Sequence, residues 1–364
     1  MQNALASGAG VLITPNHSFH YDSYVLFEAA EQVGRPFYTM TAWQVFAMSS
    51  RLDQWILQKH GCFSIDREKS DTQAFRWSVD ILRASPFPLL IFPEGDIYHT
   101  NDRVTPFREG AAAIAIAAAR KAERPIVAIP CAVKCWYVQD PTPGLLTLMD
   151  ELERQLHWRP RPNLPLDERI YRFAEGIITL KELEYLGQPQ RGTIRRRITA
   201  LAGLILQRLE EKHQFVPRSS SIPERVKELR RHLIGRLEAE PGSELLQRQY
   251  RDEMDDLFFV VQLFSYPGDY AAEKPSIERL AETLDKFEED ILEAKYPTIR
   301  GKRRAVVRFG APIPIPRHRE RGETTVLTAK LEAEVQRLLD ELNAPPCPPA
   351  ETPPLIAATI GEPA

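Results

Sequence analysis

The chain has 364 residues, a net charge of −3 and a hydrophobic fraction of 43%. That is enough for one large domain or two ordinary ones with a real core, and it excludes a chain drawn to nucleic acid by its overall field. Four cysteines, Cys62, Cys131, Cys135 and Cys347, make neither a zinc spacing nor a disulfide framework, so reduced thiols and a cytoplasmic setting are expected.

Residues 1–10 have no basic start and no long apolar run, so no secretory signal is read. The longest apolar stretch, residues 111–119, is about half the ~20 residues a membrane-spanning helix needs, so any membrane contact is expected to be peripheral. The first strand follows almost at once: either the fold starts abruptly or the recorded start lies downstream of a natural one.

That strand is the apolar run Val11-Leu12-Ile13-Thr14. Pro15-Asn16 breaks it, His17 follows in the turn, and Asp22 stands where a helix over residues 22–33 begins, ahead of Gly34. Five positions are too many for neighbouring rungs of one helix, but a bend brings the two side chains together. A carboxylate on one ring nitrogen fixes the tautomer and leaves the other nitrogen free as a base. The alternative is plain: His17 is a turn histidine and Asp22 a helix cap.

Residues 36–41 read as a second strand. Residues 42–60, with Trp43, Phe46, Met48, Trp55, Ile56 and Leu57 near helical spacing, read as a core-facing helix pair; the sharper account is a greasy face dipping into lipid. Phe63 and Ile65 alternate with polar residues as in a short strand, Gly61 suits a close backbone approach, and Arg67 lies just past the strand end, where an open α/β sheet presents ligand groups. A helix over 71–84 and a buried strand over 88–92 lead to Pro93-Glu94-Gly95, with Glu94 a helix cap or a substrate contact. The Ala-rich stretch 110–120 is a helix laid close on a sheet. Residues 125–138 form a long strand interrupted by Pro130, which marks an edge, a bulge or an opening; Cys131 and Cys135 are core thiols of its face. Strand alternating with helix argues an α/β sheet with its site at the strand ends.

Together these pieces resemble the glycerolipid acyltransferase family, which includes lysophosphatidate and glycerol-phosphate acyltransferases. Four motifs stand in the family order: Asn16-His17 with Asp22; Gly61 with Ile65 and Arg67, where Ser64 takes the family's phenylalanine position; Phe92-Pro93-Glu94-Gly95, followed by 106–110 (PFREG); and Val127-Ala128-Ile129-Pro130. Residues 306–312 (VVRFGAP) resemble the closing strand and turn. The resemblance covers 10–138 and about 304–315. It implies an α/β fold, a mixed sheet flanked by helices, and acyl transfer from acyl-CoA or acyl-carrier protein to a lipid hydroxyl without a resident cofactor. His17 is then the base that strips the acceptor hydroxyl, Asp22 orients it, and no serine nucleophile is needed. Oxyanion donors are placed near the Gly95 backbone.

Arg67 is expected to hold an acceptor phosphate, since a guanidinium fork matches phosphate, with Glu94 contacting acceptor hydroxyls or ordering Arg67; the plain alternative is an ion pair with Asp66 or Glu94. The Thr-Arg that the family often carries after Glu-Gly is Asp96-Ile97 here, followed by a longer polar loop, so Arg103 or Arg108 is the candidate to replace that arginine. His99 in this loop is read as a solvated histidine before a second site histidine. A metal reading of His17, His20 and Asp22 fails for want of a fourth ligand or a second cluster at usable spacing, so no metal is expected.

About 165 residues separate the fourth motif from the closing strand. Most read as charged helices with heptad-like apolar positions, clearest at Ile194, Ile198, Leu201, Ile205 and Leu209, a face packed on a neighbour. The organisation read is an acyltransferase α/β domain over 1–145 and 300–320, a large α-helical insertion over 146–299, a closing helix over 321–343 and a disordered Pro-rich tail over 344–364. The Arg/Lys-rich stretch 191–236 is a solvated helix face or a docking patch for anionic membrane or an acidic acyl-carrier protein. The function expected is acyl transfer to lysophosphatidate, with glycerol-phosphate, a non-phosphorylated alcohol or a non-catalytic lipid-binding scaffold as alternatives, in the cytoplasm or at the inner membrane face.

Overall fold

A computed structural model gives the fold and describes residues 1–67, 71–219, 221–239, 242, 244–273, 275–318 and 322–343. The expected Pro-rich tail, 344–364, lies outside these.

A short helix α1 (Gln2–Ala6) precedes β1 (Gly10–Pro15), and α2 (Asp22–Val33) ends on Gly34 in the left-handed region, as its glycine predicts. Then come β2 (Tyr38–Ala42), α3 (Trp43–Ala47), α4 (Arg51–Lys59), β3 (Cys62–Ile65), α5 (Thr72–Ala84), a two-residue β4 (Leu89–Leu90), α6 (Gly110–Lys121) and the long β5 (Ile126–Tyr137). The sheet order is β3-β2-β4-β1-β5, all parallel. It is closed on the far side of β5 by two antiparallel strands, β6 (Arg303–Phe309) and β7 (Ile313–Pro314). The helix α14 (Glu323–Asn343) packs on β5 and α6. This is a mixed sheet flanked by helices. Its buried run along β5 and the alanines of α6 pack with Leu12, Leu82 and Val335 on one face, and Ile13, Leu26, Leu90 and Ile129 fill the other.

Between β5 and β6 run α7 (Thr142–Gln155), α8 (Leu166–Leu186), α9 (Ile194–Lys212), α10 (Ile222–Ala239), α11 (Glu244–Ser265), α12 (Tyr270–Glu273) and α13 (Ile277–Ile291). The series Ile194 to Leu209 is buried among α10 and α11, and a second cluster joins α7, α8 and α13. The ends of this block meet: the Val138 amide donates to the Lys302 carbonyl at 2.9 Å.

Two expectations change. The pair α3 and α4 is not core-facing: neither has a buried residue, and Trp43, Met48, Leu52 and Trp55 are exposed. The helical spacing is real, but Trp43, Met48, Leu52 and Trp55 of the stripe are left uncovered among the described residues. In the basic stretch 191–236, Arg197 pairs with Glu182 and Arg225 with Glu210 across helix contacts, and Arg195 pairs with Asp269. Several of the charges that suggested a patch hold the block together.

Pro130 is not at a sheet edge but at an interruption of the outer ladder, where two β5 residues face three of the partner chain between Ala128–Ile313 and Cys131–Phe309. It sits where the outer partner of β5 changes from β7 to β6, its carbonyl taking the Gly310 amide at 2.8 Å. On the other side, β1 runs out at Pro15, paired with Cys131, while β5 continues to Tyr137. The exposed backbone edge beyond is filled by side chains. Asn16 Nδ2 donates to the Val133 carbonyl at 2.9 Å and its Oδ1 accepts the Val133 amide at 2.7 Å. Asn101 repeats this on Cys135 at 2.7 and 2.9 Å. Both asparagines are buried. Truncating either strands a buried amide and carbonyl, each costing about 1–3 kcal/mol. Asn16→Ala and Asn101→Ala should each lower the unfolding free energy by about 2–4 kcal/mol in urea titrations; a loss under about 0.5 kcal/mol would mean this edge is not closed as described.

Candidate active site

Asn16 ends β1 and delivers His17 into the turn before α2. His17 Nδ1 lies 3.1 Å from Asp22 Oδ2, the same oxygen that accepts the amides of Ser18 at 2.6 Å and Phe19 at 2.8 Å. A carboxylate only accepts, so the facing Nδ1 carries the proton and Nε2 keeps the lone pair. Asp22 is fully buried at the first residue of α2, where the helix dipole favours negative charge. Its Oδ1 has no hydrogen-bond partner among the described residues. The His17 ring stacks on Phe92, centroids 4.0 Å apart.

Glu94 is held by backbone amides. It is buried and joins two backbones: Oε1 accepts the His17 amide at 2.7 Å and Oε2 the Thr105 amide at 3.0 Å. It positions the His17 turn. The Gly95 amide is engaged by the Phe92 carbonyl at 3.2 Å, so it is not the oxyanion donor expected there.

Arg67 Nη1 donates to the Gly95 carbonyl and stands 4.0 Å from the Asp96 carboxylate. Gly95 has φ +77°, and a Cβ there would lie 2.7 Å from Arg108 Nε. The glycine therefore lets two arginines close on one turn. Arg108 is anchored by its amide on the Pro93 carbonyl at 2.8 Å. Arg103 is a correction: it turns away to Asp269 and Glu273 at 3.0 and 2.8 Å and does not line the cleft. Gly61, with φ +81° and its missing Cβ 2.6 Å from the Phe37 carbonyl, serves the β2–β3 approach. Asn16 and Pro130 likewise lie behind the site.

His17, Arg67, Pro93, Glu94, Gly95 and Arg108 line one cleft of about 2130 Å³. Its other walls are largely apolar, with Phe27, Met40, Met48, Phe75, Ile91 and Phe107 among them. Ordinary ligand pockets are about 300–1,000 Å³, so this one has room for a long chain beside a second molecule.

Sequence reasoning missed three contributors from beyond residue 280 or from the polar loop. Arg303, on β6, hydrogen-bonds the Tyr21 and Tyr137 hydroxyls, pairs with Asp285 at 3.0 Å, and lies over the Phe19 and Tyr137 rings, so the far strand steadies the His17 turn. His99 is not solvated: its side chain is 1% exposed and its Nε2 lies 3.0 Å from Glu289 on α13. His20 Nε2 meets the other oxygen of Glu289 at 2.7 Å. No local signal marks these, since 269 residues separate His20 from Glu289.

Residues 1–134 match the family model described as Acyltransferase. The match spans all four motifs, from Asn16 to Pro130. No curated protein matches the chain.

Burial pushes Glu94 from 4.5 up to about 8, against the pull of the His17 and Thr105 amides. The folded chain thus keeps this proton to higher pH than the unfolded chain. Stability from this group is whole below about 4.5 and is lost as pH rises through about 8. Wild type should therefore lose stability relative to Glu94→Gln, which cannot ionise, between about pH 5 and about pH 9 in urea titrations. A difference that stays flat, or grows the other way, would contradict this.

Proposed function

We propose that the protein transfers a fatty acyl group from an acyl thioester, acyl-CoA or acyl-carrier protein, to the hydroxyl of a glycerophosphate lipid, with lysophosphatidate the acceptor the site suits best. The observation that carries this reading is the His17–Asp22 pair beside a large, largely apolar cleft that also holds Arg67 and Arg108. Asp22 holds the ring with its lone pair at Nε2, and Nε2 takes the acceptor hydroxyl proton as the oxygen attacks the thioester carbonyl carbon. The C–S bond then breaks, the imidazolium returns the proton to the leaving thiolate, and ester and thiol are the products. Arg67 and Arg108, brought to one turn by Gly95, present guanidinium groups to a phosphate. The apolar walls take the acyl chains.

No helix among the described residues is long and apolar enough to cross a membrane. A lipid acceptor then reaches the cleft from a surface, and the uncovered face of α3 and α4 suits that contact, at the inner membrane face in this reading. Met48 both lines the cleft and belongs to the exposed stripe with Leu52 and Trp55. Trp and Leu bury well at the headgroup boundary. Leu52→Asp combined with Trp55→Asp should cut sedimentation with phospholipid vesicles several-fold while thioester turnover on a water-soluble short-chain acceptor stays near wild type; unchanged sedimentation would remove α3 and α4 from the contact.

His17→Ala should lower turnover by roughly 100-fold or more, the range for loss of a general base, with the circular dichroism spectrum unchanged. Arg67→Ala should raise the acceptor's KM far more than the donor's. Thioester release measured with and without lysophosphatidate tests the whole reading: release that needs acceptor supports transfer, release without it makes the chain a hydrolase, and none makes it a lipid binder. A panel of acceptors including glycerol-phosphate and a plain alcohol ranks the alternatives.

A further inference from the structure

One group of three side chains with metal-ligating chemistry stands together among the described residues: His20, His99 and Glu289. Each comes from a different part of the chain. His20 closes the turn that begins at His17, His99 lies in the polar loop after Gly95, and Glu289 is in the last turn of α13. Their donor atoms all lie within 4.8 Å of one another. His20 Nε2 is 2.7 Å from one Glu289 oxygen and His99 Nε2 is 3.0 Å from the other.

Two imidazole nitrogens and one carboxylate oxygen make the donor set of zinc sites that keep a fourth position open. Bonds of about 2.0–2.1 Å in a tetrahedron place neighbouring donors about 3.3 Å apart. Each imidazole meets a different Glu289 oxygen, at 2.7 and 3.0 Å, and one donor atom from each residue lies within 4.8 Å of the others, so side-chain rotation has to bring the three to that edge around an ion. Calcium and magnesium, which favour all-oxygen shells, fit this set poorly.

His99 supplies a second, independent observation. It holds φ at +51°, the left-handed region that is strained for a residue with a Cβ. Its Nδ1 is buried and has no hydrogen-bond partner among the described residues. Strain thus falls on the residue whose Nε2 aims at the carboxylate, while the orphaned Nδ1 is on the ring edge away from Glu289 and is not one of the three donors. With a cation between the three groups, both Nε2 lone pairs and the carboxylate face positive charge, and neither ring has to present a proton to Glu289. His20 and His99 line the cleft, so the fourth position opens toward it.

We propose that His20, His99 and Glu289 bind one zinc-class divalent ion that ties the His17 turn and the polar loop to α13. This stands independently of the acyl-transfer reading. The full-length protein, stripped with a chelator and titrated with Zn2+ by calorimetry, should take up one equivalent. Co2+ in its place should give the visible absorption of a four-coordinate ion, and either metal should raise the Tm. His99→Gln and Glu289→Gln each remove one donor while keeping size and polarity. Each should weaken binding at least about 100-fold, beyond what loss of an outer partner costs, and abolish the Tm rise. His213→Gln, at a histidine paired with Glu253 in the helical block, should bind as wild type does. Failure of the folded wild type to take up Zn2+, or equal uptake by both folded variants, overturns the proposal. The wild-type titration decides even where a variant does not fold.

Discussion

The architecture of the site depends on how β5 is closed where it outruns β1. Backbone amides and carbonyls at Val133 and Cys135 face a side with no strand, and leaving them bare in the core would be costly. Asn16 and Asn101 replace the missing strand, one side chain for each residue of edge. The asparagines are also the anchors of the two segments that carry chemistry. Asn16 is followed at once by His17, and Asn101 lies within the loop that runs from Gly95 to the start of α6 at Gly110. An interaction that completes the sheet therefore also sets where the imidazole stands.

Around that anchor the turn is held by acceptors, not by packing alone. Asp22 gathers the Ser18 and Phe19 amides and the His17 ring on one oxygen. Glu94 takes the His17 amide and ties it to Thr105. These two carboxylates act differently although both are buried. Asp22 gathers its donors on one oxygen at a helix start, whereas Glu94 spreads its two oxygens over two backbones and burial favours its protonated form. The helical block adds a third hold through a buried network. Asp102, beside Asn101, pairs with Lys134 of β5 and with Arg279 of α13, and the Asn101 amide donates to Glu282 at 3.1 Å. Neither part places the polar loop alone.

The sheet core was legible because buried parallel strands announce themselves as short apolar runs punctuated by Pro and Gly: residues 11–14, 62–65 and 125–138 all appear near where they were read. The Gly34 helix end and the Ile194–Leu209 face follow from local rules of the same kind. What failed depends on partners distant in sequence. The stripe on α3 and α4 has helical period, but period does not say whether anything covers it. Arg103 had the right residue type beside the right motif, and Asp269 and Glu273 from the helical block claim it. His99 reads as a loop histidine until Glu289 arrives from 190 residues away. The site's first ring of residues is thus written locally, and its second ring is written in the block between β5 and β6.

That block has a simple topological meaning. β5 and β6 are antiparallel neighbours, and Val138 and Lys302 meet across the point where the chain departs and returns. As far as the sheet is concerned, the seven helices among the described residues between them make up the loop of one hairpin. The entropy of closing a loop rises only slowly with its length, and these helices bring cores of their own. Strand register is consequently insulated from whatever size or shape the excursion takes. Its grip on the chemistry runs through a handful of side chains at the near surface, chiefly Arg279, Glu282, Asp285 and Glu289 on α13, so that one helix is the channel by which a large appendage is felt at a small turn.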